Sequence, residues 1–297
     1  MIMRKLAPTV LAAAAALAAL PALGQEPTGK PHALGTGLQR PVTSHAADLV
    51  WLDDMLLVII GVIVVFVTGL MAYTIWRYRE SRNPEPETFT HNAAVEVVWT
   101  AVPVLILVVI AIPSLRLLDA QMTVPTPELT IKATGNQWYW DYEYPDEGIE
   151  MSAYMIGSPA MDGQNMLTDE VRAQLKEYGY SEDEFLLATD TRIVVPADTN
   201  VHLLVTGADV IHNWAMPAFG IKIDAIPGRI NEAWFNVSEP GTYFGQCSEL
   251  CGLAHAYMPI VVEVVPQEEY DAWVAEQVAR REESSRVAQA PAVTAAD

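Results

Sequence analysis

The sequence predicts a membrane-anchored all-β protein, with a two-helix transmembrane hairpin followed by a β-sandwich or barrel. Three observations carry that expectation. Two long apolar runs contain no charged residue, the chain after Pro125 breaks into short alternating β-rich runs, and only 18% of the residues are charged against 51% hydrophobic. So low a charge fraction fits neither a disordered chain nor an ordinary soluble enzyme.

The elements follow in order. Leu6 to Leu23 is an Ala/Leu run behind Arg4 and Lys5, closed by Ala22-Leu23-Gly24. A basic start, an apolar core and small residues at the junction describe a secretory signal peptide, residues 1–24, with Gln25 as the new terminus. Residues 25–50 are an external segment. The hairpin spans 51–118, with its apolar runs at Met55 to Trp76 and Val97 to Leu115, the second holding Pro103 and Pro113. Each is close to the roughly 20 residues that cross a hydrocarbon core about 30 Å thick. Arg77, Arg79 and Arg82 sit between the spans, while Asp53 and Asp54 stand at the opposite end of the first. Excess arginine marks the cytoplasmic loop, so both termini and the following domain lie outside, in the periplasm of a bacterium.

Residues 119–266 form the external domain. Runs such as Leu129-Thr130-Ile131-Lys132-Ala133, Val201-His202-Leu203-Leu204-Val205 and Ile260-Val261-Val262-Glu263-Val264-Val265 are strands of a sandwich or barrel. A helical insert is expected near 165–180, with Val171, Leu175 and Tyr178 on its apolar face. Gln267 to Glu283 reads as an amphipathic helix burying Tyr270, Trp273 and Val274, and Ser284 to Asp297 as a disordered tail.

Charge narrows the partners. Against 37 acidic side chains stand 17 basic ones, a net charge of −20. Phosphate contacts need clustered Lys and Arg, so no nucleic acid is expected. A basic protein partner, steered electrostatically, is.

The chemistry is concentrated between Gly245 and Pro259, where Cys247, Cys251, His255 and Met258 fall within a dozen residues; His212 lies upstream. A disulfide between the two cysteines suits an oxidising compartment but leaves His255 and Met258 unexplained. Zinc on two cysteines and two histidines leaves Met258 unexplained, since a thioether is a poor zinc ligand. Two thiolates, two imidazoles and a thioether form the soft set that copper favours, and two thiolates can bridge a pair of ions.

From about His45 to Tyr270 the chain resembles subunit II of haem–copper cytochrome c oxidases, the aa3 type of alphaproteobacteria and mitochondria. The resemblance rests on Cys247-Ser248-Glu249-Leu250-Cys251 with His255 and Met258, which is similar to the binuclear copper centre CuA of that family. It implies a cupredoxin-like Greek-key barrel or sandwich. It implies that Cys247 and Cys251 bridge two coppers, that His212 and Met258 complete one, and that His255 and the Glu249 carbonyl complete the other. The Glu249 side chain then faces a magnesium shared with subunit I, which Asp224 and Arg229 contact. Trp138, in Gly135-Asn136-Gln137-Trp138-Tyr139-Trp140, is the implied electron-input residue, although three neighbouring aromatics by themselves read as core. Strand alternation puts Trp138 and Trp140 on one face and Tyr139 on the other.

Glu96 takes the family's position at the mouth of a proton-uptake path; on its own it reads as a solvated interfacial acid. Tyr139, Glu143, Asp190 and Asp209 resemble the cytochrome c docking surface. A further docking acid of the family is shifted to Glu150 or missing. The implied function is electron input to an inner-membrane oxidase, a respiratory translocase. Electrons from reduced cytochrome c reach haem in subunit I, where oxygen is reduced to water with proton pumping; subunit III is a further partner. A quinol oxidase subunit lacks these ligands, nitrous oxide reductase is soluble with a histidine-rich propeller, and a tethered copper-binding module needs neither the hairpin nor the aromatic stretch.

Overall fold

A computed structural model describes residues 29–85, 87–158 and 165–289. The expected signal peptide lies outside the described residues.

Two long helices come first, α1 (Ser44–Arg77) and α2 (Ala93–Met122). Their most apolar windows reach mean hydropathies of 2.9 and 2.6, and their side chains face outward along most of their length. At 1.5 Å per residue α1 is about 50 Å long, more than the apolar slab needs. Its surplus first turns anchor it to the β-domain. Thr43 caps α1 by accepting from the Ala46 N–H at 3.1 Å, and its hydroxyl donates to the Phe219 carbonyl at 2.8 Å. Gly220 has φ +70°, and a Cβ there would meet the Ala46 Cα at 2.9 Å. The His45 ring stands edge-on to Trp234 at 4.3 Å, and the Trp234 indole donates to the Ala120 carbonyl of α2 at 3.1 Å. Both helices are therefore fastened to one edge of the domain.

Ten strands follow: β1 (Leu129–Asn136), β2 (Tyr139–Tyr144), β3 (Ile149–Ala153), β4 (Ile193–Pro196), β5 (Val201–Gly207), β6 (His212–Met216), β7 (Ile221–Ala225), β8 (Asn231–Phe235), β9 (Gly241–Cys247) and β10 (Pro259–Val265). They form two five-stranded sheets, ordered β3-β2-β1-β5-β8 and β4-β10-β9-β6-β7. The pairs β1–β5 and β4–β10 run parallel and the other pairs antiparallel. The first sheet buries alternate residues, as a sandwich with one solvated face must. Ile131, Trp140, Leu203 and Phe235 meet Trp214, Phe219, Tyr243 and Ile260 in a single core. The chain thus has the expected architecture, a transmembrane hairpin joined to a cupredoxin-like sandwich.

Two covers protect the second sheet and its edge. Helix α3 (Asp169–Glu177) buries Val171 and Leu175 against the outward-facing Phe244 and Val261. Tyr178, expected on that face, is exposed, and Tyr180 takes its place. The helix ends at Tyr178, and Gly179, at φ +79°, turns the chain back. Tyr180 N–H then reaches the Leu175 carbonyl at 2.8 Å and Gly179 N–H the Lys176 carbonyl at 3.2 Å, a Schellman closure with its hydrophobic contact. Helix α4 (Gln267–Gln289) packs Tyr270, Trp273 and Val274 on the core, with Trp273 5.2 Å from Tyr144. It continues past Glu283 to Gln289, into the segment expected to be disordered. Residues 29–43 lie along the same domain: Phe244 N–H donates to the Gly29 carbonyl at 2.8 Å, and Lys30 pairs with Asp183 at 2.8 Å.

The β6–β9 ladder is short, Trp214 opposite Cys247 and Ala215 opposite Gln246. Gly245 makes it possible, since a Cβ there would lie 2.1 Å from the Ala215 carbonyl oxygen. Gly245→Ala is expected to destabilise the domain by about 3 kcal/mol, the upper range for forced overpacking. Chemical denaturation of the purified protein measures it; a change below about 0.5 kcal/mol, the range of ordinary surface substitutions, contradicts the packing described.

Candidate metal centre

Three pieces of backbone converge at one end of the sandwich. Strand β6 supplies His212, β9 ends in Cys247, and the loop from β9 to β10 supplies the rest. That loop is pinched at its base by Cys247 N–H to the Met258 carbonyl at 3.3 Å and closed by a short turn at His255–Tyr257. Both cysteines are free thiols, with their sulfurs 3.9 Å apart, about twice the length of a disulfide bond. The His212 Nδ1 lies 4.0 Å from the Cys247 sulfur. The His255 Nδ1 is 3.5 Å and the Met258 Sδ 3.6 Å from the Cys251 sulfur. The Glu249 carbonyl oxygen is 3.4 Å from the Cys247 sulfur. Every predicted ligand is thus in one cluster. His212, Cys247, Cys251 and Met258 are buried, and His255 is half-buried.

The surroundings fix which atoms face the cluster. Asp209 meets His212 Nε2 at 2.8 Å, so that nitrogen carries the proton toward the carboxylate and Nδ1 presents its lone pair to the sulfurs. A ligating histidine held through its other nitrogen by a carboxylate is the usual support for a metal. Trp140 stacks edge-on to His212 at 6.0 Å and donates to the Met258 carbonyl at 3.3 Å, closing the cluster from the core. Burial raises the Cys247 thiol pKa, but the adjacent His212 ring and the Asn213 backbone outweigh it and hold the thiol below its ordinary range. Burial and the neighbouring Cys247 sulfur push Cys251 up to about 12. Two sulfurs thus lie close together in one buried cluster. With two imidazoles and a thioether around them, the donor set fits copper.

The aromatic stretch departs from simple alternation. β1 ends at Asn136 and β2 begins at Tyr139, so Gln137 and Trp138 form the turn between them. Trp138 is therefore not on the Trp140 face. Trp140 is fully buried in the core and Trp138 is half-exposed over the copper loop. The Trp138 indole donates to the Cys251 carbonyl at 3.2 Å, and Gln137 Nε2 donates to the same oxygen at 2.7 Å. Gln137 was not singled out by sequence, because a glutamine in a turn has no signature. Gly135 was quoted only as part of the stretch, yet a Cβ there would lie 2.8 Å from the His212 ring.

The remaining predicted residues divide. Glu143 and Glu150 are cross-strand partners on the outer face of the first sheet, and Glu143 also pairs with Lys132 at 2.6 Å. On that face Asp141 joins Asn136 and Ser152, and Tyr139 stacks on Tyr154 at 4.4 Å; Asp141 and Tyr154 were not among the sequence candidates. Asp190 accepts from the Tyr154 N–H at 2.8 Å, and burial raises its carboxyl pKa. Asp224 and Arg229 line an open cleft of about 800 Å³ that also includes Asn213. Asp224 accepts from Asn213 Nδ2 at 2.7 Å, and the Asn213 carbonyl accepts from Ser248 N–H, linking that cleft to the copper loop. The Glu249 side chain is exposed. Glu96 is distant, at the start of α2, where it accepts from the Asn92 N–H at 3.1 Å.

Residues 129–265 match the family described as "Cytochrome C oxidase subunit II, periplasmic domain", and residues 31–117 match "Cytochrome C oxidase subunit II, transmembrane domain". The chain is 53% identical over 266 residues to cytochrome c oxidase subunit 2 of Cereibacter sphaeroides, covering 88% of each chain. It is 43% identical over 255 residues to a probable cytochrome c oxidase subunit 2 of Rickettsia bellii, covering 85% of this chain and 88% of that one. The solved periplasmic domain of cytochrome oxidase subunit II from Bradyrhizobium japonicum is 44% identical, with a TM-score of 0.43, and covers 53% of this chain and 99% of that one.

The two thiols differ in a way that labelling detects. In the reduced, metal-free protein Cys247 carries more thiolate than Cys251, and thiolate is the reactive form. Iodoacetamide followed by peptide mass spectrometry is expected to modify Cys247 several-fold faster. Equal rates, or Cys251 ahead, contradict the charge distribution described.

Proposed function

Because the chain belongs to the cytochrome c oxidase subunit II family, we propose that it is the electron-input subunit of a cytochrome c oxidase, with the copper cluster as its redox centre. The observation that supports this best is the convergence of Cys247, Cys251, His212, His255, Met258 and the Glu249 carbonyl at the end of the sandwich. These residues would hold two coppers, with the Cys247 and Cys251 thiolates as ligands common to both, His212 and Met258 as further ligands of one, and His255 and the Glu249 carbonyl as further ligands of the other. Bound copper supplies a one-electron acceptor and donor; the chain supplies everything that positions and insulates it.

The protein's own residues define an approach and an exit. Glu143 and Glu150, with Asp141 between them and the cluster, give the outer sheet face a negative field, and Asp190 and Asp209 extend it around Tyr139 and Trp138. That field draws in the basic face of cytochrome c and is screened over a Debye length of about 8 Å at physiological ionic strength. Trp138 then offers a conjugated ring between the surface and the Cys251 backbone, to which it is hydrogen-bonded. The cleft carrying Asp224 and Arg229 receives subunit I, which holds the haem and carries out the reduction of oxygen to water coupled to proton pumping. The exposed Glu249 side chain would hold the magnesium shared at that contact. Glu96, at the far end of α2, lies at the mouth of a proton path, and subunit III completes the complex. The copper domain and both termini lie in the periplasm after removal of the signal peptide, a reading supported by the arginines between the two spans.

Two substitutions test this reading. Purified wild-type oxidase is expected to contain both coppers of this centre and an electron spin resonance signal shared between them. Cys251→Ser is expected to lose the shared signal, because one thiolate cannot bridge the ions symmetrically. Zinc in place of copper, or a Cys247–Cys251 disulfide in the active enzyme, refutes the proposal. Trp138→Ala is expected to slow electron transfer from bound cytochrome c by about tenfold or more, equivalent to about 1.4 kcal/mol of barrier per tenfold, while leaving donor affinity and copper content in place. Loss of copper instead assigns the ring to structure alone.

A further inference from the structure

The carboxylate of Asp209 lies in the connection between β5 and β6, and among the docking acids it is the one that meets a predicted copper ligand. Its Oδ1 meets His212 Nε2 at 2.8 Å and accepts from Val210 N–H at 2.6 Å. Its Oδ2 accepts from Gln137 N–H at 2.8 Å, in the turn that carries Trp138. The other docking candidates make no such contact: Glu143 is spent on Lys132 and Asp190 on the Tyr154 backbone. His212 is fully buried while the Asp209 side chain keeps about a third of its surface, 35%, in solvent.

We infer that Asp209 is a positioning residue that orients the ligand His212 and ties it to the Trp138 turn, rather than chiefly a docking charge on the rim. The proposal rests on the copper reading of the cluster. A carboxylate beside Nε2 keeps the proton there and leaves Nδ1 free toward Cys247. The same carboxylate holds the Gln137 amide, and the side chains of Gln137 and Trp138 hold the Cys251 carbonyl. His212 and Cys251 are thereby joined through one turn, by way of Asp209 on one side and the Cys251 carbonyl on the other. The packing around this link has no slack. A Cβ on Gly135 would strike the His212 ring at 2.8 Å, and one on Gly207 would meet the Val210 carbonyl at 2.6 Å and the Ala225 carbonyl at 2.7 Å. Ala208 N–H is bonded to the Gly135 carbonyl at 2.9 Å, which registers the Asp209 loop on β1. With sterics fixing the ring's place, the carboxylate fixes its tautomer and tilt. Removing such a support typically costs roughly 10–100-fold in metal affinity or activity.

Asp209→Ala and Asp209→Ser both remove the reach to His212, and serine preserves a polar loop residue should alanine fail to fold. Asp209→Asn keeps an oxygen that can accept the Nε2 proton. Two measurements on the full chain are decisive: nitrogen-15 resonances of the His212 ring in the metal-free, reduced protein, and competition for Cu(I) against a chelator of known affinity. Alanine and serine are expected to shift His212 from the Nε2-protonated form to a mixture and to weaken copper binding by roughly 10–100-fold. Asparagine is expected to restore the tautomer and most of the affinity. Wild-type tautomer and wild-type copper affinity in both the alanine and serine variants, with only a raised KM for cytochrome c, overturns the inference and returns Asp209 to the docking rim. A tautomer shift in a chain whose wild-type form binds no copper leaves the positioning of His212 standing and overturns the copper reading instead.

Discussion

The close approach of β9 to β6 is the constraint on which the candidate centre depends. His212 and Cys247 are far apart in sequence, and two ladder positions beside Gly245 bring their strands together. From there the rest is local. Cys251, His255 and Met258 hang from a loop whose base is pinched against Cys247, so once β9 is seated on β6 every donor follows. The aromatic core of Trp140, Trp214 and Phe219 stabilises that seating and carries no chemistry of its own.

The domain is also held at a fixed place above the bilayer. The surplus length of α1 is not a loose stalk, because Thr43, His45 and Ala46 are buried against Phe219, Gly220 and Trp234. Trp234 in turn bonds the end of α2. The proposed electron-input role, between a membrane-embedded partner and a soluble donor, requires such an anchored orientation. The acids of the outer sheet face sit on β2 and β3, and Asp224 sits on β7 of the other sheet, so the two offer separate surfaces.

Much of this could be read in the sequence, and the exceptions have physical causes. Uncharged runs of membrane length, alternating strands and the Cys–Cys–His–Met spacing are local patterns, and the architecture they imply is the one observed. What escaped were effects of tertiary geometry. Alternation misplaced Trp138 because the strand ends one residue after Gly135, and nothing local marks where the hairpin turns. Tyr178 looked like a core residue until the Schellman turn at Gly179 replaced it with Tyr180. Gln137, Asn213 and Asp141 have no chemical signature alone; they acquire roles only when strands distant in sequence put a carbonyl or carboxylate within reach. Asp209 was visible as an acid near His212 at a spacing of three residues. Its bond to Nε2 was not, because that depends on how the β5–β6 connection folds over Gly135.

The copper assignment is tested most directly by X-ray diffraction from crystals of the purified oxidase at wavelengths above and below the copper absorption edge. Two anomalous peaks between the Cys247 and Cys251 sulfurs, within bonding distance of His212 and His255, are the predicted result. A single peak that appears only at energies above the zinc edge, or no metal peak between sulfurs joined as a disulfide, contradicts it.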